Sequence, residues 1–136
     1  MALPRTDDTD GLVVADVMHD EVGALSADAT VAEARLWFAP SVSRRLAIVA
    51  DGDRYVGVVT PADLVTDLPA DRPLASVARA GDSVAPDVPA ATGLEIVLAS
   101  ATRRVPVVDG DGRLHGVLAI TADGQHFACR DRARPG

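Results

Sequence analysis

The sequence predicts a mixed α/β protein (α+β in its local order), built from two copies of one small unit packed sheet against sheet. Three observations lead there. Compared with itself at an offset of 59 residues, the chain aligns without a gap from Leu25/Val84 to Asp63/Ala122, and its best stretch pairs SRRLAIVADGDRYVGVV with STRRVPVVDGDGRLHGVL, allowing small slips in the turn. The identities gather around one turn and one glycine, among them Arg44/Arg103, Arg45/Arg104, Val49/Val108, Gly57/Gly116 and Val58/Val117. Each half also runs through the same order of patterns: a helical periodicity, a short apolar run, an Asp/Gly turn and a second apolar run. A lone unit of about 55 residues buries too little surface to be secure by itself, so the two are expected to cover each other's sheets.

The elements follow in order. Thr30 and Glu33 form a capping-box pattern that opens a helix over Thr30 to Ala39, with Val31, Ala34 and Phe38 on one face. A strand over Leu46 to Ala50 leads into the turn Asp51-Gly52-Asp53, and a second strand covers Arg54 to Val59. Thr60 reads as an N-cap with Pro61 at the first helical position, opening a short helix through Asp67. Pro69, Asp71 and Pro73 read as the linker. The second half predicts a helix from Ala90 to Ser100, a strand from Val105 to Asp109, a turn at 110–112, a strand from Arg113 to Ala119 and a helix towards Phe127. Gly57 and Gly116, each placed inside a strand, imply a close approach of another backbone.

Composition narrows the function classes. The 136 residues carry 13 basic and 20 acidic side chains, a net charge of -7, and every basic one is an arginine. A general nucleic-acid binder needs a basic face, and only 3% of the residues are aromatic, which leaves no base-stacking platform. Cys129 is the single cysteine, so disulfides within the chain and cysteine-rich zinc sites are excluded. His19, His115 and His126 share no metal-ligand spacing. No apolar run reaches the ~20 residues that span a bilayer, and residues 1–11 are acidic and polar, unlike a signal peptide. The sequence reading is a cytoplasmic protein, with no membrane and no nucleic-acid partner expected.

The stretches VADVMHDE, LSADATVAEA and RRLAIVADGDRYVGVVTPADL resemble the cystathionine-β-synthase (CBS) domain, and LASVA through RRVPVVDGDGRLHGVL resembles a second copy. This places one repeat at 12–68 and the other at 73–128, with tails at 1–11 and 129–136. The resemblance implies two β-α-β-β-α repeats paired through their sheets about a pseudo-twofold axis, a Bateman module. It also implies homodimers, and clefts between repeats that bind adenosine-containing ligands such as AMP, ADP, ATP or S-adenosylmethionine. No cofactor is required; such a ligand would be regulatory.

Thr60 and Asp63 are the first site candidates. Thr60 sits where a strand gives way to a helix N-terminus, which favours an anion, and Asp63 lies one turn on, on the same side. A carboxylate there accepts hydrogen bonds from two vicinal hydroxyls, the geometry of a ribose. In the family these positions resemble the pair that holds ribose and phosphate; capping the helix is the other role that fits them. The second half departs from the pattern, with Ala119 for Thr60 and Ala122 for Asp63, while Asp123 comes one residue late. One competent cleft is therefore expected. Arg44, Arg45, Arg103 and Arg104 suit bidentate phosphate contacts, or ion pairs with aspartates of the other repeat. Pro106 matches the family's proline beside the adenine pocket; Ala47 is its partner by the offset, and Ile48 lines the same strand.

No nucleophile elbow, P-loop, dinucleotide fingerprint or paired catalytic residues occur in the sequence, so an enzyme is not expected. The expectation is a regulatory module that senses an adenosyl ligand and signals to an effector protein. The alternative is a scaffold that keeps the fold and has lost the ligand.

Overall fold

The computed structural model describes residues 5–19, 24–39, 46–64, 67–80, 82–100, 102–121 and 123–128. In chain order its elements are helix α1 (Val14–Val17), strand β1 (Leu25–Ser26), helix α2 (Val31–Phe38), strands β2 (Ala47–Asp51) and β3 (Arg54–Val59), 3₁₀ turns at Pro61–Asp63 and Leu74–Ser76, helix α3 (Ala90–Ala99), and strands β4 (Arg104–Val108) and β5 (Leu114–Ala119). The fold is mixed α/β and repeated, as the sequence predicts. Two compact units divide the chain: a contiguous one, Gly23–Gly81, and a split one, Met1–Val22 with Asp82–Gly136.

In the contiguous unit, β1 pairs parallel with β2 and β2 antiparallel with β3. Residues 47–50 of β2 are buried in succession, the pattern of a strand covered on both faces. Gly52 turns the hairpin at φ 64, a conformation that suits glycine. Helix α2 begins at Thr30, whose Oγ1 accepts the Glu33 N–H at 3.2 Å. Its next two free donors, the N–H groups of Val31 and Ala32, go to the carbonyls of Arg72 and Ala70. The segment read as a linker is therefore packed: Pro73 bridges Thr30, and Leu74 beside it is fully buried in a core with Ala29, Ala34, Val49 and Val59.

The split unit repeats this plan with different chain segments. Strands β4 and β5 pair antiparallel, and Val84 bridges Val107 in parallel where Leu25 pairs with Val49. The first-turn N–H groups of α1, from Val14 and Ala15, donate to Val88 and Pro86, while Val13 bridges Pro89. The core gathers Val14, Val17, Val84, Ala90, Val97, Val105, Val107, Leu118, Ile120 and Phe127. The sequence expectation places the repeats at 12–68 and 73–128, whereas packing divides the chain elsewhere. The short helix of the first repeat docks on the strands of the second, and the 3₁₀ turn of the second docks beside the strands of the first. His19 exchanges two backbone hydrogen bonds with Val117 (2.8 and 2.9 Å), and Arg79 does the same with Val58 (3.0 and 3.1 Å).

This exchange explains the repeated glycines. A Cβ on Gly57 would stand 2.9 Å from the Arg79 carbonyl oxygen, and one on Gly116 would stand 2.5 Å from that of His19. The close backbone approach inferred from the sequence is present at both.

Three expectations change. The helix expected through Asp67 is one 3₁₀ turn, Pro61–Asp63, because Leu64 leaves helical geometry (φ -100, ψ 63) and the chain turns to bring Ala70 and Arg72 to α2. The helix expected towards Phe127 is a return loop: Thr121 N–H donates to the His126 carbonyl, Gly124 takes φ 73, and Ile120 bridges Phe127, whose burial draws the chain back to the core. The partner expected for Pro106 also changes, through a slip in the turn of the kind the repeat allows. Val49 faces Gly57 and Val107 faces Gly116, so β2 and β4 correspond at an offset of 58, and Pro106 answers to Ile48 rather than Ala47. The second hairpin turn is one residue longer, and that residue absorbs the shift.

Candidate functional site

Strand β3 ends at Val59, paired with Ala47, and Thr60 continues in an extended conformation (φ -112, ψ 163) before Pro61 bends the chain. One 3₁₀ turn later Asp63 folds back. Its Oδ2 accepts the Thr60 N–H at 2.8 Å and the Thr60 hydroxyl at 2.9 Å, while its own N–H donates to the Thr60 carbonyl. The turn is short and the N–H groups of Thr60 and Asp63 are taken, so the anion-binding helix N-terminus read from the sequence is absent here. What remains is a carboxylate held in place by the residue that starts the turn.

Arg79 completes the arrangement. Its Nε stands 3.4 Å from both Asp63 oxygens, with the Arg79 side chain 60% exposed and that of Asp63 22% exposed. Burial pushes the Asp63 carboxyl up, but the Thr60 N–H, the Thr60 hydroxyl and Arg79 together outweigh it and hold the group below the ordinary carboxylate range. Local patterns do not single out Arg79, because it belongs to the second repeat. One signal does point to it: LASVAR, residues 74–79, sets beside VADVMH, residues 14–19, and so matches Arg79 with His19, which bridges the other hairpin.

The remaining candidates fall as follows. Ala47 and Ile48 lie in the contiguous unit with Thr60 and Asp63, and both are buried. Arg103, Arg104 and Pro106 belong to the split unit. There Pro106 is buried, Arg104 is exposed and opposite Ala119, and Arg103 is exposed with a left-handed backbone, φ 57. Arg44, Arg45 and Ala122 lie outside the described residues. Ala119 is buried in β5. Beyond it the Thr121 hydroxyl donates to Asp123 Oδ1 at 2.6 Å, and that oxygen also accepts the Gln125 N–H; the Thr121 hydrogen bond leads in holding the Asp123 carboxyl down. This pair closes a turn two residues wide and differs from the Thr60–Asp63 geometry.

The split unit holds a second ordered carboxylate at its hairpin turn. Asp109 Oδ1 accepts the N–H groups of Asp111 and Arg113, and Oδ2 takes His115 Nε2 at 2.7 Å, an ionised carboxylate being an acceptor only. The His115 hydrogen bond first, then the backbone donors, lower the Asp109 carboxyl to about 2. Among the described residues no three His, Cys, Asp or Glu side chains stand where they could share a metal ion, and no helix is long and apolar enough to cross a membrane.

Comparison with known proteins bears on the fold and the family. No curated protein matches the chain. Solved structures do. The cystathionine beta-synthase pair domain of a proposed Mg2+ transporter from Shewanella oneidensis superposes with a TM-score of 0.71 at 22% identity, over 83% of this chain and 68% of that one. CBSX2 from Arabidopsis thaliana, in complex with AMP, gives 0.66 at 21% identity over 84% and 93%. The CBS domains of a Streptococcus pneumoniae transcriptional regulator give 0.65 at 25% over 79% and 92%. The CBS domain family matches residues 14–70 and again 71–121, and the chain, which carries two CBS domains in tandem, belongs to that family.

Proposed function

We propose that this chain is a regulatory, non-catalytic module that binds an adenosine-containing nucleotide (AMP, ADP, ATP or S-adenosylmethionine) at the Thr60–Asp63 turn. It works as a homodimer and passes the bound state to a partner protein by shifting a conformational equilibrium. The observation that carries this reading is the fixed Asp63 carboxylate, whose Oδ2 is held by Thr60 while its Oδ1 stands 3.4 Å from Arg79 Nε. Such a group accepts two vicinal hydroxyls from one ribose. The AMP complex of the Arabidopsis relative supports the ligand class. In the split unit Ala119 is buried at the position that matches Thr60, and the sequence there has Ala122 for Asp63, so this reading assigns one site and not two.

The test is a thermal-shift series on the full chain with AMP, ADP, ATP and S-adenosylmethionine, with Asp63→Ala alongside. A ligand at about 100 times its dissociation constant adds about 2.7 kcal/mol, several degrees for a chain of this size. Asp63→Ala also loses its hydrogen bonds with Thr60, so the ligand-induced shift is compared and not the baseline. The expected result is a shift in the parent that the variant lacks. An equal shift in both moves the site elsewhere, and no shift with any ligand favours the ligand-free scaffold.

A further inference from the structure

We infer that Arg79 sets the charge preference of the Thr60–Asp63 site, making it select a phosphate-bearing nucleoside over the uncharged one. The inference rests on the reading above, in which Asp63 takes a vicinal diol.

Oδ2 of Asp63 already accepts two hydrogen bonds from Thr60, at 2.8 and 2.9 Å. Acceptor capacity for a diol is therefore left on the side that faces Arg79, whose Nε is 3.4 Å from either oxygen. A diol and the guanidinium compete for that side. A separation of 3.4 Å is longer than a good N–H···O bond, and an exposed ion pair is worth little, so the guanidinium yields at small cost.

It does not travel far when it yields. The Arg79 backbone is clamped to Val58 by two hydrogen bonds and seated against Gly57. Its side chain is 60% exposed beyond that anchor. The displaced cation stays beside the ligand that displaced it, where a phosphate is the matching partner. Arg72, the other arginine of the same segment, is occupied, since it donates through Nε to Ser76 Oγ at 3.1 Å.

The guanidinium thus opposes a bare nucleoside and favours a nucleotide. Forming or breaking one charge-assisted hydrogen bond corresponds to about tenfold in affinity. Calorimetric titration of adenosine and AMP into the full-length parent, Arg79→Gln and Arg79→Lys tests this. The parent is expected to hold AMP about tenfold more tightly than adenosine. Arg79→Gln should bring the two affinities together, by weakening AMP and leaving adenosine equal or tighter, and Arg79→Lys should keep part of the preference. Raised salt should narrow the gap in the parent and leave Arg79→Gln unmoved. If Arg79→Gln weakens both probes by the same factor, Arg79 is structural and the inference falls. An unchanged ratio, or a parent that holds adenosine as tightly as AMP, also overturns it while leaving Asp63 as the diol acceptor. A parent that binds neither probe overturns both this inference and the site reading beneath it.

Discussion

The two hairpins share one pairing plan up to the end of their second strands, apart from one extra residue in the second turn, and part company there. Both have an irregularity at the same place, between Val49 and Ala50 and between Val107 and Val108. Both carry a glycine opposite the residue before that irregularity, and both receive on the following valine a segment from the other repeat. After β3, Thr60 leaves the ladder and Asp63 turns back on it. After β5, Ala119 stays in the ladder, Ile120 follows it into the core, and Phe127 returns to bridge it. The pairing scaffold is thus independent of the chemistry at its exit. One unit uses the exit for packing; the other leaves a polar turn open to solvent.

The largest effect should come from removing what fills the split unit's exit. Phe127 is fully buried among Leu118, Ile120 and its neighbours, and Phe127→Ala is expected to cost about 3–5 kcal/mol. In the contiguous unit Phe38 is only half-buried, so Phe38→Ala should cost clearly less. Urea unfolding of the two variants measures the difference. Equal losses would mean that the return loop does not pack as described.

Next come the glycines. Gly116→Ala places a methyl 2.5 Å from the His19 oxygen and 2.9 Å from the Met18 sulfur, while Gly57→Ala meets the Arg79 oxygen at 2.9 Å and the Ala78 methyl at 3.2 Å. Overpacking of this kind costs about 1–3 kcal/mol, and Gly116→Ala should be the worse of the two because its nearest backbone neighbour is closer. Gly57→Ala also pushes on the backbone that presents Arg79, so it should lower AMP affinity beyond any change in melting temperature. A reversed order of destabilisation would mean the two segments do not cross the hairpins as paired here.

Much of this is legible in the sequence. The hairpins, the capped helix at Thr30 and the two glycines follow from local patterns, because turns, caps and close approaches leave residue-type signatures within a few positions. Thr60 and Asp63 stand out because they lie three residues apart. Arg79 does not, since its approach to Asp63 from sixteen residues away depends on which repeat's segment docks on β3. Pro69–Pro73 does join the two family matches, but its packing is hidden for the same reason: carbonyls of that segment cap α2, and nothing in its composition records a partner that far back. A slip in the turn is legible from the two aligned stretches, but which strand residues it shifts is not, because the turn reads as Asp/Gly in either register, and so Pro106 is matched with Ala47 instead of Ile48. The return loop passes for a helix because only the burial of Phe127 distinguishes the two.

The smallest effect is a pH dependence, and it compares the ordered carboxylates of the two units. Asp63 and Asp109 both lie below their ordinary value in the folded chain, Asp109 at about 2. The unfolded chain therefore binds more protons at acid pH, and each group's contribution is complete above its unfolded value of about 4 and fades as the pH falls through the folded one. The causes differ. Asp63 is held against its own burial by Thr60 and Arg79, whereas Asp109 is held mainly by His115 and two backbone donors at an exposed turn, where solvent screening keeps the effect small. Melting temperatures at pH values of about 6, 4 and 3 for the parent, Asp63→Asn and Asp109→Asn read both. The parent should lose stability between about pH 4 and 3, and each variant should lose less of it, because a carboxamide has no proton to take up in that range. An acid loss in Asp109→Asn as steep as the parent's would show that the turn carboxylate is not ordered by His115. The same result in Asp63→Asn would remove the ordered acceptor on which the ribose reading depends.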